Sequence, residues 1–215
     1  MHYVHPLPAY LVDRYNGWKA TVFENNKATY GELAAQGQQP RVMIVSCCDS
    51  RVQATSIFGA DLGELFIHRN IANLIPQYEP DGRHHGTSAA VEYGVCTLKV
   101  QHLIVLGHSG CGGVKGCYDM CAGHAPDLNE KTSFVGRWLD IMRPAYDGLP
   151  AGDDASRKQA LEKASIVVSL QNLMTFPFIR SAVLDNSISL HGLWKNIGEG
   201  LLEIYDPIDD CFVPL

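Results

Sequence analysis

The chain has 215 residues and a mass of 23.6 kDa, enough for one domain of ordinary size that buries a core without disulfide staples. With 46% apolar and 19% charged residues, a net charge of -6 and a pI near 5.8, it carries no cationic field to hold nucleic acid or anionic lipid. No apolar run approaches the roughly 20 residues of a membrane helix, and the opening MHYVHPLPAYLVDRY has neither a basic n-region nor an apolar h-region, so neither membrane insertion nor export is expected.

In chain order, residues 1–36 are expected to form amphipathic helical material outside any sheet, an extension of a single domain spanning 1–215. RVMIVSC (41–47) and ELFIH (64–68) are short, nearly continuous apolar runs of the kind found in parallel strands buried on both faces. GTSAAVEYGVCTLKV (86–100) has helical spacing, with Thr87 as its expected N-cap. HLIVLGH (102–108) is a third strand, and MRPAYDGLPAGDDAS (142–156) is expected to be a loop with solvated acids. SRKQALEKASIVVSLQNLM (156–174) is a helix stopped by Pro177. ISLHGLW (188–194) and GLLEIYD (200–206) are expected to pair as a hairpin around KNIGE. The alternation predicts an α/β fold: a mostly parallel central sheet flanked by helices, with an N-terminal helical extension and an antiparallel C-terminal edge strand.

In such sheets ligands bind beyond the carboxyl ends of the strands, and that is where the polar turns fall. The first strand ends in Cys47, within VSCCDSRV; the third ends in GHSGCGG (107–113), which carries His108 and Cys111. Taken singly, a cysteine is a small core hydrophobe and His-x-x-Cys arises by chance. At the ends of adjacent strands the three converge as a Cys2His zinc site with one coordination position open, a chemical rather than a scaffolding arrangement. Asp49 and Arg51 follow Cys47 at once; Arg51 can hold the Asp49 carboxylate in a charge-assisted pair, leaving it an acceptor for water at the metal. The seven cysteines, an odd number with two adjacent, suit a reducing compartment in which thiols serve metal or catalysis, and the cytoplasm is the expected location.

Other residues are expected to do less. Cys48 faces away from Cys47 by strand alternation and is read as packing. Cys117, Cys121 and His124 are spaced to share a helix face, but half-buried thiols are a simpler reading than a second metal. His84 and His85, adjacent surface histidines in a loop, are expected to do nothing specific, with a proton relay as the alternative.

On the residues CCDSRV and HSGCGG, with GELFIHRNIANLIP, GTSAAVEYGVCTLKV and LHGLWKNIGEG in support, the chain closely resembles a β-class carbonic anhydrase over residues 30 to 206. The resemblance implies zinc-dependent reversible hydration of CO2 to bicarbonate and a proton, with one Zn2+ per chain held by Cys47, His108 and Cys111 and with Asp49 and Arg51 as the catalytic dyad. It further implies that Gln38 donates to substrate, that Phe66 and Tyr93 line an apolar wall, and that this wall is shared across a subunit interface, so that the chain forms a homodimer or larger with its N-terminal arm on a partner subunit. Cys48 departs from the family's usual Ser or Ala. One subclass binds bicarbonate at a regulatory pocket, and there this chain has Ile44 and Lys195 where a Trp and a Tyr are expected, with only Arg69 matching; Asp49 is therefore expected to pair with Arg51 rather than with metal. Hydrolysis of carbonyl sulfide or carbon disulfide on the same scaffold, and a zinc-stabilised module without turnover, are the alternatives, the second opposed by intact Asp49, Arg51 and Gln38.

Overall fold

Val42–Cys47 forms strand β1, and every residue of it after Val42 is buried, so its apolar run is continuous rather than alternating. The computed structural model describes residues 3–80 and 85–215. Around β1 the chain runs through α1 (Ala9–Trp18), α2 (Lys27–Gln36), α3 (Ala54–Phe58), β2 (Leu65–Asn70), α4 (His85–Glu92), β3 (His102–His108), α5 (Gly112–Cys121), α6 (Phe134–Leu139), α7 (Arg143–Asp147), α8 (Asp154–Leu173), α9 (Pro177–Leu184), β4 (Ser189–Lys195), β5 (Leu202–Asp206) and β6 (Cys211–Pro214). These fall into two compact units, divided between Gln39 and Pro40.

In the first unit α1 and α2 bury none of their residues. Tyr15, Trp18, Phe23 and Tyr30 hold the two helices together through ring contacts with centroids 5.2 to 6.1 Å apart. Tyr10, Leu11, Val12 and Val22 stay exposed, so the expected amphipathic arm is present with its apolar surface uncovered.

In the second unit one sheet has the order β2-β1-β3-β4-β5-β6. The first three pairings are parallel and the last two antiparallel. Met43, Val45, Leu103, Val105 and Trp194 pack on one face with Ile166 and Leu173 of α8 and Ile179 of α9. On the other face Ile44, Leu106 and Leu193 are buried with Val52 and Ala54, while Val42, Leu65, Ile67, Ile104, Leu202 and Ile204 are only partly covered. Among the described residues no single helix is long and apolar enough to cross a membrane; α8 and α9 pass that test only as a pair, bent by 90°.

The expected hairpin of β4 and β5 is present, but β5 is not the edge: β6, with Cys211 opposite Asp206, adds a further antiparallel strand. Four residues ending near the C-terminus carry too little periodicity to announce it. The expected loop over 142–156 is in part helix, since Arg143–Asp147 forms α7 with Pro144 in its first turn, where proline's missing N–H costs nothing. The acids after it are structural rather than merely solvated: the Asp153 carboxylate caps α8 by accepting from Ser156 N at 2.8 Å, and Asp154 accepts from the Tyr118 hydroxyl at 2.9 Å. Pro177 opens α9 as well as closing the preceding turn. Thr87 lies inside α4, not at its cap, and its hydroxyl meets His68 Nε2 at 3.0 Å and Asn70 Nδ2 at 3.2 Å.

Helix α8 lies so close to β3 that a Cβ on Gly107 would sit 2.7 Å from Ile166 Cδ1 and 2.9 Å from its Cγ1. Gly107→Val should therefore destabilise the fold by roughly 1–3 kcal/mol through overpacking, read as a lower urea midpoint; an unchanged midpoint would mean that α8 does not press on β3 at this point.

Candidate metal centre

Parallel pairing brings the carboxyl ends of β1 and β3 side by side, with Ser46 opposite Leu106, so Cys47 and His108 emerge next to one another. The chain then turns through Gly110, whose φ of +65° is a left-handed conformation suited to glycine, and presents Cys111 as the N-cap residue of α5. Thiolate character is favoured there by the amides and dipole of the helix N-terminus. A Cβ on Gly113 would lie 2.8 Å from Ile71 Cγ2 and 2.9 Å from Ala72 Cβ, so α5 is seated tightly against the turn that follows β2.

The ligand atoms of Cys47, His108 and Cys111 lie within 4.8 Å of one another, and among the described residues no other group of three His, Cys, Asp or Glu does so. The two sulfurs are 3.8 Å apart. That separation equals the edge of a tetrahedron with metal–sulfur bonds of about 2.3 Å, which gives about 3.8 Å. His108 Nδ1 lies 3.0 Å from the Ser109 carbonyl, which can only accept, so the ring hydrogen sits on Nδ1 and the lone pair on Nε2. Nε2 is buried with no hydrogen-bond partner, a costly state for an imidazole nitrogen unless a cation uses it. The donor set therefore fits Zn2+ held by two sulfurs and one nitrogen, with a fourth position free of protein ligands.

The thiols are poised for that ion. The Cys47 pKa is lowered by the hydrogen bond shared between the two sulfurs, then by His108 and the backbone amides of Asp49 and Ala72, against a rise from burial. Cys111 is pushed up because it keeps that hydrogen beside a thiolate in a buried site, although the Gly113 and Val114 amides work against the rise. Two adjacent thiolates in a buried site repel one another, so binding of a dication there would be coupled to release of a proton.

Asp49 and Arg51 form the bidentate pair expected of them: Arg51 Nε donates to Oδ1 at 2.9 Å and Nη2 to Oδ2 at 2.7 Å, while the Arg51 amide adds a bond to Oδ1 at 3.0 Å. These bonds from Arg51 hold the Asp49 carboxyl well below the usual carboxylate range. Arg51 Nη2 also donates to the Gly110 carbonyl at 3.1 Å, tying the first metal turn to the second. Asp49 Oδ2 lies 4.0 Å from His108 Nε2, on the metal side of the pair.

Two residues that spacing alone does not single out complete the framework. Glu162 of α8 is buried, and its Oε1 accepts from Gly110 N at 2.7 Å and Cys111 N at 3.3 Å while Oε2 accepts from Trp194 Nε1 at 3.2 Å. Burial raises its pKa, and the three donors oppose the rise. The available signal was its place on the inward face of α8 with Ser165, Ile166 and Ser169, where a solvated carboxylate does not belong. Arg69, at the end of β2, donates to the carbonyls of Cys47 at 3.0 Å, Asp49 at 2.7 Å and Val52 at 2.8 Å. Its guanidinium is thus committed to bracing the Cys47–Val52 turn.

Other expected residues lie elsewhere. Phe66 and Tyr93 touch each other, with ring centroids 5.8 Å apart. Phe66 pairs in register with Met43, four residues before Cys47, which is about 13 Å along the strand, so one chain does not bring this aromatic pair to its own metal ligands. Gln38 belongs to the first unit, where it is exposed. Cys48 falls just after β1 and is exposed, not packed; with His85, His68 and Trp138 it lines a cavity of about 470 Å³. His84 lies outside the described residues. Cys117 is buried on α5, and His124 does not join it and Cys121 in a metal-sized cluster.

The family model described as carbonic anhydrase matches residues 42–202. The chain is similar to "Beta carbonic anhydrase 3" of Arabidopsis thaliana, 35% identical over 193 residues that span 88% of this chain and 73% of that protein. Its fold is similar to that of the β-carbonic anhydrase CcaA, with a TM-score of 0.83 and 29% identity over 96% of this chain and 91% of the other. A tetrameric β-carbonic anhydrase from the ascomycete Sordaria macrospora matches with a TM-score of 0.76 and 27% identity, over 95% of this chain and 98% of the other.

Removing the carboxylate of Glu162 leaves three donors at the back of the metal turn without their acceptor, two of them on the buried residues Cys111 and Trp194. Glu162→Ala should lower stability by roughly 1–3 kcal/mol and weaken zinc binding about 10- to 100-fold, measured by urea unfolding and by competition with a chromophoric chelator. Glu162→Gln, which keeps one acceptor but points an NH2 at a donor, should fall between. Wild-type zinc affinity in both variants would remove Glu162 from any part in holding the site.

Proposed function

We propose, on the premise that this chain belongs to the carbonic anhydrase family and to its β class, that it catalyses the reversible hydration of carbon dioxide to bicarbonate and a proton. One observation carries the reading: a carboxylate locked by arginine, with one oxygen 4.0 Å from an unpaired imidazole nitrogen that faces two thiols. Cys47 Sγ, His108 Nε2 and Cys111 Sγ would hold one zinc ion per chain, which when bound supplies the Lewis acidity that brings the ionisation of water toward neutral pH.

The chain's own residues then do the orienting. Asp49, kept ionised by Arg51, is an acceptor only; Oδ2 takes one bond from Arg51 and has a lone pair left to receive the hydrogen of the attacking oxygen. That contact fixes the direction from which the nucleophile meets the substrate carbon and lowers the entropy of attack. Arg51, tied also to Gly110 O, keeps Asp49 from swinging toward the metal ligands. Arg69 cannot easily leave three carbonyls to bind an anion, and Ile44 offers no donor, which supports the Asp49–Arg51 pairing as the resting state.

Carbon dioxide needs an apolar wall, and the Phe66–Tyr93 pair is the one proposed for it, with Gln38 donating to the oxygen that gains charge. Because Phe66 lies at the level of Met43, a second copy of the chain would present these residues to the site, making the enzyme a homodimer or larger. The uncovered apolar side chains of α1 and the partly covered β2–β1 side of the sheet around Val42, Leu65 and Ile67 support such an assembly, with the N-terminal arm laid on a partner subunit. The cytoplasmic location is likewise proposed, on the strength of cysteines that are all free thiols.

Stopped-flow hydration of CO2 by the zinc-loaded protein tests the reading, with carbonyl sulfide hydrolysis measured in parallel. Fast turnover of CO2 is the expected result; turnover of the sulfur compound alone would reassign the substrate, and turnover of neither would leave a zinc-binding module.

The dyad separates from metal binding. Asp49→Asn and Arg51→Ala should keep one zinc per chain yet lose roughly 10²–10³-fold in CO2 hydration. The Asp49 pKa is depressed, so its pair with Arg51 is intact above the ordinary carboxylate range and is lost only as pH falls through the depressed value; between about pH 6 and 9 it does not titrate. The pH–rate profile of Asp49→Asn should therefore keep a single ionisation at a lower plateau, its midpoint moved down by loss of the neighbouring negative charge. Loss of the ionisation altogether would mean that Asp49 itself is the titrating group.

A further inference from the structure

At the opposite end of β3 from the metal centre, His102 and His191 stand on neighbouring parallel strands. The register pairs His102 with Ser189 and Ile104 with His191, so the two imidazoles project from the same face on a short diagonal. His102 Nδ1 and His191 Nε2 are 3.2 Å apart, and the ring centroids are separated by 5.4 Å with a tilt of 44°.

We propose that His102 and His191 form a second, surface site for a divalent transition-metal ion, with water in the remaining positions. Two nitrogens held about 2.05 Å from one ion are separated by about 2.9 Å when cis in an octahedron and by about 3.3 Å in a tetrahedron. The observed 3.2 Å lies within that span, so the two nitrogens already have the spacing an ion requires, and each ring needs only to turn its lone pair off the N–N line toward a common point. Whichever ring nitrogen holds the shared hydrogen passes it to the other nitrogen of the same ring, and both imidazoles remain neutral ligands. His191 is half-buried, and burial, followed by the neighbouring His102, lowers its pKa, which favours the ligand form at neutral pH. Both residues sit on strands of the central sheet, so the geometry is set in advance rather than assembled at a cost in entropy. Imidazole pairs suit Ni2+, Cu2+ and Zn2+. His102 precedes His108 by six residues of the same strand, or about 20 Å, so this ion would be independent of the one held by the thiols. Its effect would be to clip the start of β3 to β4.

The probe is Ni2+, since Cu2+ would oxidise the exposed thiols of Cys48 and Cys211. Zinc-loaded wild-type protein, His102→Ala and His191→Ala are titrated calorimetrically, with zinc content measured before and after. Their thermal midpoints are also recorded with and without Ni2+. Wild type should bind one Ni2+ per chain without losing zinc and melt at a higher temperature in its presence. Each variant should bind that equivalent at least about tenfold more weakly and lose the thermal shift while remaining folded. Failure of wild type to take up Ni2+ beyond its zinc, or an equivalent that survives either substitution, would overturn the site and leave the two rings as a simple hydrogen-bonded pair. Neither result depends on CO2 turnover, so this inference and the proposed function stand or fall separately.

Discussion

Two thiols 3.8 Å apart in a closed interior do not both give up their protons without a cation between them. Much of the site is arranged around that constraint. One hydrogen shared between the sulfurs favours ionisation of one thiol and opposes that of the other. The buried Nε2 of His108, its tautomer fixed by the Ser109 carbonyl, adds a neutral donor whose lone pair has no protein partner. The folded chain therefore presents a metal site that is electrostatically unfinished, and metal binding and the last deprotonation become one event.

Holding this arrangement is the task of residues that touch no metal. Glu162 reaches out of α8 to the Gly110 and Cys111 amides and to the Trp194 indole, joining helix, metal turn and β4 through one carboxylate. Arg69 does the equivalent for the Cys47–Val52 turn from β2, using three carbonyls. Arg51 links the two turns through Gly110 and at the same time fixes Asp49. Each brace is a charged group with at least one hydrogen bond to the backbone of a metal turn, so the geometry of the Cys47, His108 and Cys111 cluster is set by the fold.

The apolar half of the proposed chemistry is distributed differently. Phe66 and Tyr93 form a ring pair at the level of Met43 rather than beside Cys47. Apolar side chains of α1 lie in solvent, and the sheet face opposite α8 is only thinly covered. A chain that builds its polar machinery within itself and leaves its apolar surfaces open is consistent with a site finished by a second copy, as proposed above.

Much of this was legible in the sequence. Continuous apolar runs ending in CCDSRV and GHSGCGG named the strands, their parallel pairing and the convergence of Cys47, His108 and Cys111, because side chains at the ends of buried strands have few places to point. The Asp-x-Arg spacing named a pair that closes within one turn. These are local facts, decided by residues close in sequence or by the strand period. Tertiary structure decided the rest. Nothing within a few residues of Glu162 reveals Gly110, Cys111 or Trp194, since those partners meet it only when α8 crosses the sheet. Thr87 looked like a cap and instead bonds His68 and Asn70 on β2. The short strand β6 exists because β5 offers it an edge, and the distance between the Phe66–Tyr93 pair and Cys47 follows from strand register, which periodicity does not contain. The cluster of two thiols and an imidazole rested on local spacing; the means of holding it rested on contacts between residues far apart in the chain.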